Sequence, residues 1–406
     1  RRFTMQTLHS NALSPEQLRW PEHMARALAI AGSVLTAAPN PRVGCVLVAD
    51  LAGPNDEQIA EGWHKGAGLP HAEPEALAQV QGEAKGATAF VTLEPCCHTG
   101  RTGPCSTALI AAGIQQLVIA SRDPNPKVSG GGIAELEAAG VAVFFLAEFE
   151  AEARALNRGF FSRMERGRPF VRCKLAMSLD GRTALANGES QWITGAAARA
   201  DVQRLRAESD AIVTGIGTVL ADNPALTVRP ESLPLDENAL ALTQPSLVKQ
   251  PLRVVLDSRG RLSPSAKIVT EDGHCVVYSL ADADTQLPSD AGSGFERRLL
   301  ETLETKDAAA VTRVDLASVL DSLALQDQCN ELLVEAGATL STAFLEAGLV
   351  DELIVYIAPK LMGSDAQPLL TLQGLTQMSQ LTEYKIKSSQ QIGNDLRLVV
   401  DCTPRS

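Results

Sequence analysis

The sequence predicts two consecutive α/β domains, each built on a mostly parallel sheet. Three observations carry this. Apolar, β-branched runs alternate with helix-period segments in two separate series. Charged residues, Gly167 and Pro169 interrupt both periods at residues 163–169. And 406 residues exceed what one ordinary domain of roughly 100–200 residues holds. Strand–helix alternation implies parallel strands covered on both faces. The expected division is an N-terminal tail at 1–19, a first domain at 20–166 and a second at 167–406.

The first series opens at Pro21, where Met24, Ala27, Leu28 and Ala31 keep helical spacing until Gly32 and the Pro39-Asn40-Pro41 turn. Residues 43–49 read as a buried strand and 59–64 as a second strand. A helix follows over 74–80, with Pro74 at its first position, then a strand over 87–93 and a helix over 107–112 that stops at Gly113. The series ends with a strand over 117–120, a helix over 133–139 and a strand over 141–146. The second series runs through 170–175, 196–207, 211–215, 252–257 and 275–279, and closes with 331–335, 341–347 and 353–358. Residues 230–250 hold three prolines and little periodicity, and read as a surface excursion.

Composition excludes several classes. A net charge of −12 opposes general nucleic-acid binding, which needs a positive field over phosphates. Aromatics at 4% leave few stacking platforms for single strands. No run of about 18 apolar residues suits a membrane span. Arg1-Arg2-Phe3 superficially resembles a twin-arginine signal, but polar residues follow, so the segment reads as a tail. Eight cysteines are too sparse for a disulfide scaffold, yet Cys96, Cys97 and Cys105 fall within ten residues, and five of six histidines precede residue 99. That clustering points to metal or catalysis in a reducing compartment, with the chain expected in the cytoplasm.

Three pieces assemble a metal site: His71-Ala72-Glu73-Pro74, Glu94-Pro95-Cys96 and Pro104-Cys105. One imidazole and two thiolates give zinc three ligands and leave its fourth tetrahedral position for water, whose pKa zinc lowers to about 7. Glu73, beside the metal but not bound to it, suits proton transfer to a leaving amine. Residues i and i+2 share a site only where they straddle a helix start, as His71 and Glu73 would. Zinc deaminases acting on nucleobases carry H-x-E followed by P-C-x-x-C. Here the second cysteine stands nine positions after the first, and Cys105 is preferred to Cys97, because adjacent residues rarely aim at one ion. Cys97 and His98 read as non-ligands, Cys45 as packed strand, and His64 as a core histidine or a substrate contact.

The second half carries Lys174-Leu175-Ala176-Met177-Ser178-Leu179-Asp180-Gly181-Arg182, a strand ending in a turn where Asp-Gly supplies positive φ. Val213-Thr214-Gly215-Ile216-Gly217-Thr218 reads as a strand entering a glycine-rich loop. Leu332-Leu333-Val334-Glu335 leads through Gly337 to a helix whose free N–H groups suit a phosphate.

Together these motifs resemble the bifunctional riboflavin-biosynthesis deaminase-reductases. In the first half the likeness rests on Pro39-Asn40-Pro41-Arg42-Val43-Gly44-Cys45, the H-x-E, Leu93-Glu94-Pro95-Cys96-Cys97-His98-Thr99-Gly100-Arg101-Thr102, the long cysteine interval and Asp123-Pro124-Asn125-Pro126. In the second half it rests on Gly188-Glu189-Ser190-Gln191-Trp192-Ile193-Thr194, Val219-Leu220-Ala221-Asp222-Asn223-Pro224-Ala225-Leu226-Thr227-Val228-Arg229, Val334-Glu335-Ala336-Gly337 and Leu349-Val350-Asp351-Glu352-Leu353. Pro74 and Glu75 are mild departures. The resemblance covers roughly residues 20–405. It implies a cytidine-deaminase-like α/β/α domain with one zinc on His71, Cys96 and Cys105, then a dihydrofolate-reductase-like α/β domain that takes NADPH. NADPH would contact Ala176, Trp192, Thr218, Asp222, Ser258 and the turn Gly337, Ala338, Thr339, Leu340, Ser341, Thr342 and Ala343. A phosphorylated pyrimidine would meet Lys174, Ser190, Arg206, Leu226, Arg229 and Glu335, the two arginines suiting its phosphate. The resemblance also implies a homo-oligomer, a dimer or tetramer, with no nucleic-acid or membrane partner. The rival from another class is a nucleobase-editing zinc deaminase, of tRNA or other nucleic acid, with an accessory nucleotide-binding domain; a non-catalytic zinc and nucleotide-binding regulator is the third.

Overall fold

A computed structural model describes residues 5–9, 13–14, 17–49, 57–82, 84–98, 103–233, 248–283, 294–300 and 313–403. They form two compact units that part between Gly167 and Arg168.

The first unit contains β1 (Gln6–Leu8), α1 (Trp20–Gly32), β2 (Gly44–Ala49), β3 (Glu57–Trp63), α2 (Ala72–Gln79), β4 (Thr88–Val91), α3 (Cys105–Ala111), β5 (Gln116–Ile119), α4 (Gly131–Ala138), β6 (Ala142–Leu146), α5 (Glu150–Leu156) and α6 (Arg158–Arg166). Its sheet runs β1-β6-β5-β4-β2-β3. β4, β5, β6 and β1 are parallel, while β2 lies antiparallel to both β4 and β3. Successive side chains of a strand point to opposite faces. Val46 and Val48 therefore pack with Trp20, Met24 and Leu28 of α1, while Cys45 and Leu47 pack with Ala76, Leu109 and Leu136 of α2, α3 and α4. Both faces being covered, β4 is buried throughout, which is why it reads as a continuous apolar run rather than an alternation.

The sequence expectation needs correcting at three places in this unit. Gln6–Leu8, assigned to a tail, pairs in parallel with β6. The charged residues 163–166 are not an interruption but the last turn of α6, and α5 and α6 both follow β6. α2 begins at Ala72, with His71 as its N-cap, so Pro74 is the third helical residue and not the first. Proline is tolerated there because the first four N–H groups of a helix have no internal partner anyway.

The second unit contains β7 (Phe170–Ser178), β8 (Arg182–Ala184), α7 (Ala196–Ala207), β9 (Ala211–Gly215), α8 (Ile216–Asp222), β10 (Leu252–Leu256), α9 (Lys267–Thr270), β11 (Cys275–Leu280), β12 (Phe295–Leu300), α10 (Leu316–Leu325), β13 (Glu331–Glu335), α11 (Ala338–Glu346), β14 (Glu352–Ala358), β15 (Gln367–Pro368), β16 (Lys385–Ile392) and β17 (Asp395–Asp401). Nine strands form one sheet in the order β12-β11-β10-β9-β13-β7-β14-β17-β16. It is parallel from β12 to β14, and β17 and β16 close it as antiparallel strands. The Asp180-Gly181 turn has Gly181 at φ +75°, but β8 pairs with β15 rather than folding back on β7. The glycine-rich segment after β9 is helical from Ile216. Of the expected surface excursion, residues 234–247 lie outside the described residues. No described helix is long and apolar enough to cross a membrane.

Candidate functional site

In the first unit, β4 ends at Val91 and delivers Cys96, while the starts of α2 and α3 deliver His71 and Cys105. The Cys96 sulfur lies 3.6 Å from His71 Nδ1, the Cys105 sulfur 3.3 Å from the same nitrogen, and all three ligand atoms fall within 4.8 Å of one another. Tetrahedral zinc with a nitrogen at about 2.05 Å and sulfurs at about 2.3 Å has nitrogen–sulfur edges of about 3.6 Å. The donor set therefore fits zinc in both chemistry and size. It is also the only group of three or more His, Cys, Asp or Glu side chains so placed among the described residues.

The ligands are braced from behind. Cys105 N–H donates to the Cys96 sulfur at 3.4 Å, and Ser106 N–H donates to the Cys96 carbonyl at 3.1 Å. Buried Glu94 accepts the backbone N–H groups of Asp123, Gly130 and Ile133, which ties the cysteine loop to the start of α4. α4 approaches so closely that a Cβ on Gly132 would stand 1.9 Å from the Pro95 carbonyl oxygen. Gly132→Ala is expected to displace Pro95 and the neighbouring Cys96 and to weaken zinc affinity about 10- to 100-fold. Competition with a chromophoric chelator measures this, and unchanged affinity would refute the brace. Cys97 turns away from the ligands, and its sulfur packs where a Cβ on Gly131 would go.

Glu73 sits in the first turn of α2 and is 3% exposed. Burial, then the Cys96 sulfur, raises its carboxyl above the ordinary value, with His71 and Cys105 opposing. A carboxyl shifted upward is suited to taking up a proton and giving it back. The hydrogen bond between the two thiols lowers Cys96 against its burial and raises Cys105, so the pair shares one proton and Cys96 is the sulfur that gives its own up first. His64 is buried, with its ring 5.1 Å from that of His71. Its Nδ1 donates to the Pro70 carbonyl at 2.9 Å, which leaves Nε2 to accept from the Asn40 amide at 3.0 Å. Asn40, bonded to His64, and Glu94, behind the cysteine loop, thus stand next to the ligand set, though chemistry-by-residue-type did not single them out. Their signals were the Pro39-Asn40-Pro41 turn and the Glu94-Pro95 pair, quoted only as parts of longer motifs.

In the second unit a cleft of about 1870 Å³ opens at the carboxyl ends of the central strands, where α/β sheets receive their ligands. It is lined by Lys174, Ala176, Ser190, Trp192, Arg206, Thr218, Asp222, Leu226, Arg229, Ser258, Glu335, Gly337, Ala338, Thr339, Leu340 and Ala343. Ser341 and Thr342 are not among them. Ser341 Oγ donates to the Ala336 carbonyl and Thr342 Oγ accepts from Thr371 N–H, and both residues are buried. The helix period turns these two inward. A Cβ on Gly337 would meet nothing within 4 Å. Intrahelical bonding begins at Ser341 N–H, which returns to the Gly337 carbonyl. The N–H groups of Ala338, Thr339 and Leu340 therefore stay free for a ligand phosphate, and the cradle fits a dinucleotide.

Arg206, expected at the substrate phosphate, is ion-paired within the cleft. Its Nε and Nη2 donate to Glu335 at 2.6 and 3.0 Å, and its Nη1 donates to the Thr227 carbonyl at 3.0 Å. Three of its five N–H groups are used inside the protein, and Arg206 also lines the cleft. Lys174 Nζ lies 3.9 Å from Glu335; burial lowers its pKa, Glu335 opposes and Arg206 adds to the lowering. Arg229 is exposed in the cleft, and its guanidinium has no hydrogen bond or ion pair among the described residues. Trp192 is stacked under Arg199, whose guanidinium carbon is 4.6 Å from the ring centre. Leu226 holds a left-handed φ of +53°, a strained conformation for a branched residue of the kind that gathers at ligand clamps.

Comparison with known proteins follows the same division. Residues 19–121 match the cytidine and deoxycytidylate deaminase zinc-binding region, and residues 169–398 match the RibD C-terminal domain. The chain is 47% identical to the riboflavin biosynthesis protein RibD of Escherichia coli over 93% of this chain and 97% of that protein. To RibD of Haemophilus influenzae it is 44% identical over 92% and 95%. The solved RibD of Acinetobacter baumannii superposes with a TM-score of 0.80 at 42% identity, covering 94% of this chain and 98% of that one. A Thermotoga maritima diaminohydroxyphosphoribosylaminopyrimidine deaminase/5-amino-6-(5-phosphoribosylamino)uracil reductase gives 0.77 at 31% identity, over 94% and 98%. The second half is thus of a reductase family, and the nucleobase-editing reading is not favoured.

Proposed function

This chain belongs to the RibD family of riboflavin biosynthesis proteins, and on that premise we propose how its residues divide the work. It is a bifunctional enzyme, a deaminase in the first unit and a reductase in the second. The substrate we assign is 2,5-diamino-6-ribosylamino-4(3H)-pyrimidinone 5′-phosphate. The first unit removes the ring amine hydrolytically, and the second reduces the ribosyl group to ribityl.

The observation that carries the first reaction is the His71–Cys96–Cys105 triangle with a buried, unligated Glu73 at the same helix start. His71, Cys96 and Cys105 would hold one zinc ion, which supplies a water acidified to a pKa of about 7. Glu73 would move a proton from water to the departing amine as the water oxygen bonds the ring carbon, so that the carbon–nitrogen bond breaks, ammonia leaves and a ring carbonyl remains. To Asn40, whose amide donates to His64 beside the ligand set, we assign a contact with the pyrimidine edge.

For the second reaction, NADPH would lie along Trp192, Thr218, Asp222, Ser258 and the α11 start, and supplies the hydride. Lys174, Ser190 and Leu226 enclose the ribosyl group, Arg229 pairs the substrate phosphate, and Arg206 keeps Glu335 charged and oriented. A homo-oligomer is proposed on the edge strand β16, whose far side has no partner strand among the described residues; Ile386 on it, and Leu375, Met378 and Leu381 leading into it, are exposed. None of the eight cysteines is disulfide-bonded, in keeping with a cytoplasmic location.

Chelation of the metal is expected to abolish ammonia release while NADPH oxidation on the deaminated intermediate continues, and added zinc should restore the first activity. Ammonia release from protein with no measurable zinc would dismiss the proposed site.

A further inference from the structure

The cleft of the second unit carries cations that the reaction proposed above does not use. Beyond β10 the chain turns sharply: Asp257 accepts Leu262 N–H on its carboxylate at 2.7 Å and Gly260 N–H on its carbonyl at 3.2 Å. This pinned loop puts Ser258 in the cleft and Arg259 and Arg261, both exposed, along its wall. Ser258 Oγ accepts Val314 N–H at 3.1 Å, which brings exposed Arg313 to the same wall. Among the described residues none of these three guanidinium groups has an ion pair or hydrogen bond, whereas Arg172, Arg206 and Arg298 are each matched by carboxylates. Three unmatched guanidinium groups on one wall, in a chain of net charge −12, suit a compact dianion.

The strand order identifies which dianion. Lys174 and Glu335 stand on adjacent strands β7 and β13, the free N–H groups follow β13, and the arginine loop follows β10, with β9 between. Strands lie about 4.8 Å apart, so β10 is about 14 Å from β7. A dinucleotide with nicotinamide at β7 and pyrophosphate at the α11 start places its adenosine at β10. We propose that Arg259, Arg261 and Arg313 bind the 2′-phosphate of the adenosine ribose and thereby select NADPH over NADH. This rests on the reductase reading above.

Calorimetric titration of the full chain with NADPH, NADH and adenosine 2′,5′-bisphosphate tests it. The Arg259→Gln/Arg261→Gln variant should bind NADPH about 10- to 100-fold more weakly. Its NADH affinity should be unchanged and adenosine 2′,5′-bisphosphate should no longer bind; Arg313→Gln should act in the same direction. Equal weakening of NADPH and NADH, or no weakening of NADPH, would overturn the inference. A wild-type chain that binds neither cofactor would overturn the reductase reading and this inference with it.

Discussion

Glu73→Gln is expected to lower ammonia release about 10²- to 10⁴-fold or more, while the protein still oxidises NADPH on the deaminated pyrimidine. The substitution keeps the size and hydrogen-bonding reach of the side chain but removes its capacity to carry a proton. Its metal content should not change, because the three ligand atoms are those of His71, Cys96 and Cys105. Stability should change little, since the variant removes a carboxyl whose charged form burial already disfavours. Ammonia release together with bound zinc, measured on one preparation, decides the matter. Zinc lost with activity would make Glu73 a ligand, and loss of both activities in a folded protein would sink the division of labour between the two units.

Glu335→Ala should destabilise the second unit by about 3–5 kcal/mol, because removing one partner leaves the other charges buried without compensation. Glu335 is 8% exposed and answers two cations, Arg206 through two hydrogen bonds and Lys174 at 3.9 Å. Thermal unfolding should shift down by roughly 6–20 °C at about 2–4 °C per kcal/mol for a domain of this size. Glu335→Gln, which retains an acceptor, should shift it less. Burial alone would raise the Glu335 pKa, but Arg206 and then Lys174 outweigh it and hold it below the ordinary value. A depressed carboxylate stabilises above its unfolded pKa and loses that contribution as pH falls through the folded one. The gap between wild type and Glu335→Ala should therefore narrow in acid. A gap that widened there, or a shift of only a degree or two at neutral pH, would show that the cluster is not the buried network described.

Much of the site was legible because its chemistry is local. His71 and Cys105 stand at helix starts, and Cys96 follows a buried strand, so spacing and residue type sufficed. Elements carrying few apolar residues were not legible. β16 reads Lys-Ile-Lys-Ser-Ser-Gln-Gln-Ile and is exposed up to its last residue, so it shows no alternation and is held mainly through its pairing with β17. β1 is three residues long and owes its form to β6. In the second site the limit was orientation. Ser341 and Thr342 belong to the same turn as Gly337 and Thr339, and only the setting of α11 on the sheet decides which of them face the cleft. The pairing of Arg206 with Glu335, more than a hundred positions later, is a tertiary contact that no spacing in the sequence shows.

The place of β7 in its sheet bears on how the chain comes to be folded at all. β7 lies between β13 and β14, and its registers join Phe170 to Glu331 and Arg172 to Glu352. Both neighbours are therefore synthesised roughly 160 residues or more after it; at about 5–20 residues per second, that is a wait of roughly ten to thirty seconds on the ribosome. The metal-holding unit has all its strands by then and can form first. The strand that bears Lys174 meanwhile remains an apolar segment without partners, so the reductase is the half whose yield should depend on chaperones and on the pace of translation.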